Sequence, residues 1–126
     1  MAKAGVAPLV AGSLGEAHHL SHAERTALIT TARKALDSEG LTHVPIIAGT
    51  GVGSTRETIQ LSKQAALDGA DAVIVIASGY FAGVLAGNKK ALKQFWADVA
   101  EASPIPVLIY NCMIMRPFFC FLTNVY

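Results

Sequence analysis

Charge is scarce in this chain. Asp, Glu, Lys and Arg make up 15% of its 126 residues and sum to a net +1 at pH 7. Such a balance builds no broad basic or acidic field to attract nucleic acid or a membrane surface, and neither partner is expected. Cysteine is nearly absent. Cys112 and Cys120, both near the C-terminus, fit no zinc or redox spacing, so a reducing compartment, the cytoplasm, is the expectation. No apolar run reaches the roughly 18 residues a membrane helix needs. The nearest candidate, from Ile105 to Tyr126, is interrupted by Pro106, Asn111, Arg116 and Pro117. The opening Met-Ala-Lys-Ala-Gly-Val holds no hydrophobic stretch of signal-peptide length. What the chain does have is apolar bulk. Hydrophobic residues are 52% of it, which excludes a disordered tail and suits one domain at this length.

That bulk is organised around Val10-Ala11-Gly12-Ser13-Leu14-Gly15-Glu16. An apolar run stops in Gly-Ser-x-Gly-Glu and a helix start follows, the pattern of a strand handing over to a helix. Such turns aim backbone N–H groups at one point and favour a bound carboxylate or phosphate. Upstream, Met1 to Gly5 reads as a frayed helix stopped by glycine, and Val6 to Ala11 as a strand weakened by Pro8. Downstream, Ser21-x-x-Glu24 is a capping box opening a helix to about Glu39, with Ala27, Leu28, Thr31, Ala32, Ala35 and Leu36 at helical spacing.

Val44 to Ala48 predicts the second strand and Gly49-Thr50-Gly51-Val52-Gly53 a second tight turn. The turn lacks the lysine of a phosphate-binding loop and the spacing of a dinucleotide fingerprint, so it reads as structural. Ser54-x-x-Glu57 is a second capping box, and its helix carries Ile59, Leu61, Ala65, Ala66 and Leu67 before Gly69. Ala72 to Ala77 is a continuous β-branched run, which predicts a strand covered on both faces. A loop from Ser78 to Gly87 holds Tyr80 and Phe81. A helix over Asn88–Ala102 carries Leu92, Phe95, Trp96 and Val99, and Ile105 to Tyr110 is the fourth strand.

The order β-α-β-α-β-α-β predicts an α/β fold with a parallel sheet and crossover helices. Both the doubly wound sheet and the (β/α)8 barrel use this repeat. Periodicity and caps cease after Asn111, so residues 1–111 read as one α/β unit and 112–126 as a separate, sticky tail.

The ordered blocks resemble the dihydrodipicolinate synthase / N-acetylneuraminate lyase family. They are Gly12-Ser13-Leu14-Gly15-Glu16, Leu20-Ser21-His22-Ala23-Glu24-Arg25, Val44-Pro45-Ile46-Ile47-Ala48-Gly49-Thr50-Gly51, Ser54-Thr55-Arg56-Glu57, Gly69-Ala70-Asp71-Ala72 and Pro106-Val107-Leu108-Ile109-Tyr110-Asn111. The loop Ser78-Gly79-Tyr80-Phe81-Ala82-Gly83 is similar to that of fungal-type members, the 4-hydroxy-2-oxoglutarate and 2-keto-3-deoxy sugar-acid aldolases. The resemblance implies a (β/α)8 (TIM) barrel, of which residues 1–111 would be a partial domain, homo-oligomeric assembly, and Schiff-base lyase or aldolase chemistry on pyruvate or another 2-oxo acid, with no added cofactor. By the same resemblance Ser13 and the N–H of Leu14 would hold the substrate carboxylate. Tyr110 would shuttle the proton near the imine, and Tyr80 would be lent to a neighbouring subunit's site.

The chain departs from the family after Tyr110-Asn111, where Cys112-Met113-Ile114 replaces a Pro-Gly-rich loop. The family's imine-forming lysine lies on a later strand, so the expectation is a truncated product without activity of its own. Lys34, Lys63, Lys89, Lys90 and Lys93 fall on helices or helix starts with outward periods, while imine formation needs a desolvated neutral amine. Two other readings stand beside this one: a non-catalytic module that joins full-length subunits, and a small doubly wound binding domain. Glu16 is expected to stabilise its turn rather than move protons. His18, His19 and His22 are not expected to hold a metal, because Ser21 as N-cap breaks their helical spacing.

Overall fold

The computed structural model describes residues 1–85 and 87–110. The boundary expected at 111, the tail 112–126 and both cysteines lie outside the described residues. Four parallel strands, β1 (Leu9–Val10), β2 (Ile47–Gly49), β3 (Ala72–Ile76) and β4 (Val107–Tyr110), form one sheet in the order β1-β2-β3-β4. Between them run α1 (His22–Ser38), α2 (Thr55–Leu67), the short α3 (Ala82–Leu85) and α4 (Lys89–Ala102).

The register puts Leu9, Ile47 and Ala72 in one row, and Ile76 beside Tyr110 at the C-terminal end. Side chains alternate across a strand, and burial alternates with them. Ile46, Ala48, Val73 and Val75 face the helices and are buried. Ile29 and Leu36 of α1, Ala65 of α2, and Leu92, Trp96 and Val99 of α4 pack on them. Each fully buried aliphatic side chain contributes about 1.5–3 kcal/mol of transfer free energy. On the opposite face Ile47, Ile74 and Ile76 are half-buried, and Leu9, Leu108 and Tyr110 are exposed. The cover expected on both faces of β3 is therefore found on one face among the described residues. A sequential strand order with the helices on one side is the winding of a barrel, so the doubly wound alternative is not the one adopted.

Local chemistry explains most boundaries. Gly5 ends a 3-10 turn over Ala2–Ala4 with φ of 78°, the left-handed stop that glycine supplies. Pro8 stands just before β1, where its carbonyl accepts the Ile47 N–H at 3.0 Å and its missing donor costs nothing. Ser21 and Glu24 form the expected reciprocal capping box. The second box is half made: Ser54 accepts from the Glu57 N–H, but the Glu57 carboxylate turns to His22 Nε2 at 2.7 Å. The buried stripes are shifted from those expected. On α1 Leu28 is exposed and Arg25 and Ile29 are buried; on α2 Leu67 is exposed and Thr58 and Ser62 are buried. Asp71 ties the entry of the sheet, accepting the Ile46 N–H at 2.7 Å and Arg33 Nη1 at 3.2 Å.

Candidate functional site

The C-terminal ends of the four strands carry the chemistry-bearing residues. After β1 the backbone turns sharply, and Ala11 and Glu16 both take φ of 53°, a region that side-chain-bearing residues enter at a cost of about 1–2 kcal/mol each. Strain of this kind concentrates at functional sites. Between these two residues the turn is closed by bonds to the Gly12 carbonyl, from Gly15 N–H at 3.0 Å and Ala17 N–H at 3.3 Å, and by Glu16 N–H to Ser13 O at 3.2 Å. Ser13 and Leu14 sit at the apex and are exposed.

Ser13 and Tyr110 line one small cavity, with Gly12, His18, Gly49, Gly51, Ile74 and Ile76 among its other walls. Its volume is about 30 Å³, the room of about one water molecule. Among the described residues no acidic side chain lines it, so no carboxylate there repels an anion, and no lysine lines it either. Leu14 is not part of the lining, and its side chain stands in solvent. Tyr80 is not brought into this cavity. It is exposed, packs edge-to-face on Phe81 with centroids 5.0 Å apart, and borders a separate hollow of about 380 Å³ with His18, Gly53 and Ser78. The two hollows share His18, Gly51 and Ile76. Among the described residues no group of three or more His, Cys, Asp and Glu could hold a metal. Lys34, Lys63, Lys89, Lys90 and Lys93 are all exposed.

The expected tight turn over residues 49–53 supports the site, which has further supports in Arg25 and a set of buried hydroxyls. Gly49 must be glycine, because a Cβ there would lie 2.0 Å from the Ala11 carbonyl oxygen. Gly51 meets the same limit against Ile76, at 2.5 Å from its N and 2.7 Å from its O. Arg25 is buried and donates to the Gly49 carbonyl through Nη1 at 3.1 Å and to the Ala17 carbonyl through Nη2. Burial pushes its guanidinium pKa down and the nearby Glu57 carboxylate pushes it back up. The signal for it was present in the spacing: Arg25 shares the stripe of Ile29 and Leu36, at i, i+4 and i+11. The turn after β2 is closed from inside by hydroxyls. Thr50 and Ser62 bond at 3.0 Å, Ser62 donates to the Thr58 carbonyl at 2.8 Å, and Thr58 Oγ1 accepts the Val52 N–H at 3.3 Å.

Known proteins share this chain's sequence pattern and fold. A family model described as "Dihydrodipicolinate synthetase family" matches residues 3–115. The chain is 50% identical over 112 residues to a protein of Emericella nidulans named "Probable 4-hydroxy-2-oxoglutarate aldolase, mitochondrial", covering 88% of this chain and 36% of that one. It is 42% identical over 112 residues to L-threo-3-deoxy-hexylosonate aldolase of Aspergillus niger, covering 88% and 33%. The crystal structure of a prophage protein of the dihydrodipicolinic acid synthase family from E. coli K12, in complex with pyruvate, superposes with a TM-score of 0.72 at 36% identity. That match covers 90% of this chain and 36% of the other. The chain thus spans about a third of the length of the relatives it matches.

Proposed function

The chain belongs to the dihydrodipicolinate synthetase family, and from that premise we propose that its Ser13 turn holds the carboxylate of pyruvate or a related 2-oxo acid. The observation that carries this reading is the shared cavity: Ser13 and Tyr110 line it together at the strand ends, with no acidic side chain in the lining among the described residues. In this reading the Ser13 hydroxyl and the Leu14 N–H bind the carboxylate, and a strained, exposed turn presents them. Tyr110, which lines the same cavity, moves a proton at the adjacent 2-oxo carbon. Tyr80, exposed on its loop, acts in a neighbouring subunit's site. The parent chemistry is Schiff-base lyase or aldolase chemistry, in which an amine forms an imine with the 2-oxo group and a carbon–carbon bond is made or broken through the enamine.

In this reading the described residues would supply the carboxylate pocket and not the amine, since no lysine among them lines the cavity. We infer that the 126-residue chain binds the acid without turning it over. Borohydride trapping with pyruvate, read by intact mass beside a circular dichroism spectrum, tests this. The expected result is a folded chain without adduct; a one-pyruvate adduct contradicts it and identifies the lysine by peptide mapping.

A second reading, association with full-length family subunits, is favoured by the exposed apolar residues on the edge strands, Leu9, Leu108 and Ile109. Co-purification with an intact relative supports it, and separate elution counts against it. Residence in the cytoplasm is part of the proposal; among the described residues no helix is long and apolar enough to cross a membrane. A tagged chain found in mitochondria would overturn it.

A further inference from the structure

We propose that Arg25 is the positioning residue of the carboxylate cradle, acting on the ligand through the turn rather than by touching it. The inference rests on the reading of Ser13 given above. Arg25 does not line the Ser13–Tyr110 cavity, yet its guanidinium holds the two backbone segments that do. One end takes the Ala17 carbonyl, and the Ala17 N–H in turn takes the Gly12 carbonyl at 3.3 Å. That bond closes the bracket around Ser13, Leu14, Gly15 and Glu16. The other end takes the Gly49 carbonyl at 3.1 Å, on the glycine whose missing Cβ lets the Ala11 carbonyl sit against β2. The turn after β1 is therefore fastened to the end of β2 at both its start and its close.

The choice of arginine has a physical reason. A planar fork can donate to two carbonyls at once, whereas an ammonium is a point donor. Burying a cation beneath a tight turn is costly unless it is bonded and balanced. Arg25 has the two carbonyls as acceptors and Glu57 on α2 as its charge partner. Glu57 is itself held by His22 Nε2 at 2.7 Å instead of closing its capping box.

The test uses the 15N-labelled 126-residue chain with Arg25→Lys and Arg25→Met. Amide hydrogen exchange and pyruvate titration are measured together. In Arg25→Lys the amides of Gly15, Glu16 and Ala17 should exchange about tenfold faster, the weight of one charge-assisted hydrogen bond, while the amides of α2 and α4 keep their protection. Pyruvate affinity should fall by about the same factor, because the cradle must be ordered before it binds. Arg25→Met should show both effects more strongly; if it unfolds, the lysine variant decides. Unchanged exchange at Gly15 and Ala17, or loosened exchange with unchanged affinity, overturns the proposal, as does a uniform loss of protection across all helices, which marks a merely structural arginine. A wild-type chain that does not respond to pyruvate removes the reading of Ser13, and exchange at Gly15, Glu16 and Ala17 alone then decides whether Arg25 orders the turn.

Discussion

The turns that follow β1 and β2 share one sequence plan. Each begins where an apolar run meets a glycine, continues through a hydroxyl residue and a further glycine, and leads to Ser-x-x-Glu at a helix start. The structure gives their hydroxyls opposite fates. Thr50 is buried and bonded to Ser62, and the Val52 N–H is taken by Thr58, so the turn after β2 is satisfied from within. Ser13 is exposed at the apex of a turn whose bonds run along its base, between Gly12 and Ala17. A buried hydroxyl with partners contributes stability; an exposed one over a strained backbone is available to a ligand. Glycine spacing does not separate these cases, and the environment of the hydroxyl does.

The largest expected effect attacks the seam between the two turns. Gly49→Ala should destabilise the chain by about 3 kcal/mol, since its Cβ meets fixed backbone at Ala11. Gly12→Ala should cost less than about 1 kcal/mol, because the nearest atom, Leu9 Cδ2 at 2.5 Å, is a side-chain tip that can rotate away. Urea midpoints at constant slope measure both. Equal costs would mean that the seam is not where the turns are held together.

The next effect separates the hydroxyls. Ser62→Ala leaves Thr50 buried without its partner and should cost about 1–2 kcal/mol. Ser13→Ala should change stability by less than about 0.5 kcal/mol, as exposed substitutions do. The same urea series with a pyruvate titration checks that the first loses stability and the second loses affinity.

This division was only partly legible in the sequence. The alternation of strands and helices along the chain, the parallel repeat, the α1 cap at Ser21 and the α4 stripe of Leu92, Trp96 and Val99 follow from periodicity and capping chemistry, whereas the repeat alone left the sheet order β1-β2-β3-β4 open between a doubly wound sheet and a barrel. The α2 stripe was half legible: Leu61 and Ala65 are buried as expected, but Thr58 and Ser62 are buried too, and their hydroxyls read as polar until their partners are known. Arg25 was passed over for the same reason, a charge on an apolar stripe. The four residues of α3 were too short to show a period. Cover on both faces of β3 was inferred from its β-branched run, but a strand whose second face lines a barrel interior is equally apolar. Within the candidate site the glycines and Ser13 were visible as a motif, whereas the meeting of Ser13 with Tyr110 depends on parallel register across three strand pairs.

Smaller effects lie at the helix starts behind the turns. Ser21→Ala removes a reciprocal box and should cost about 1 kcal/mol, and Ser54→Ala, with only half a box, somewhat less. The Ser21 N–H, and then its hydroxyl, hold the Glu24 carboxyl below its ordinary pKa. A carboxylate held low stabilises the fold above its unfolded pKa, and that contribution is lost as pH falls through the folded value. The acid limb of the melting-temperature profile should therefore be shallower in Ser21→Ala than in the wild type, a small change because Glu24 is exposed. Parallel acid limbs would remove Glu24 from the account.

The central claim is that the turn after β1 binds a carboxylate and the turn after β2 only supports it. Titration of the 15N-labelled chain with pyruvate reads both turns in one spectrum. The account predicts saturable shifts at Ser13, Leu14 and Gly15, with Val52 and Gly53 unmoved. Shifts centred on Gly51, Val52 and Gly53 with Ser13 and Leu14 silent would contradict it.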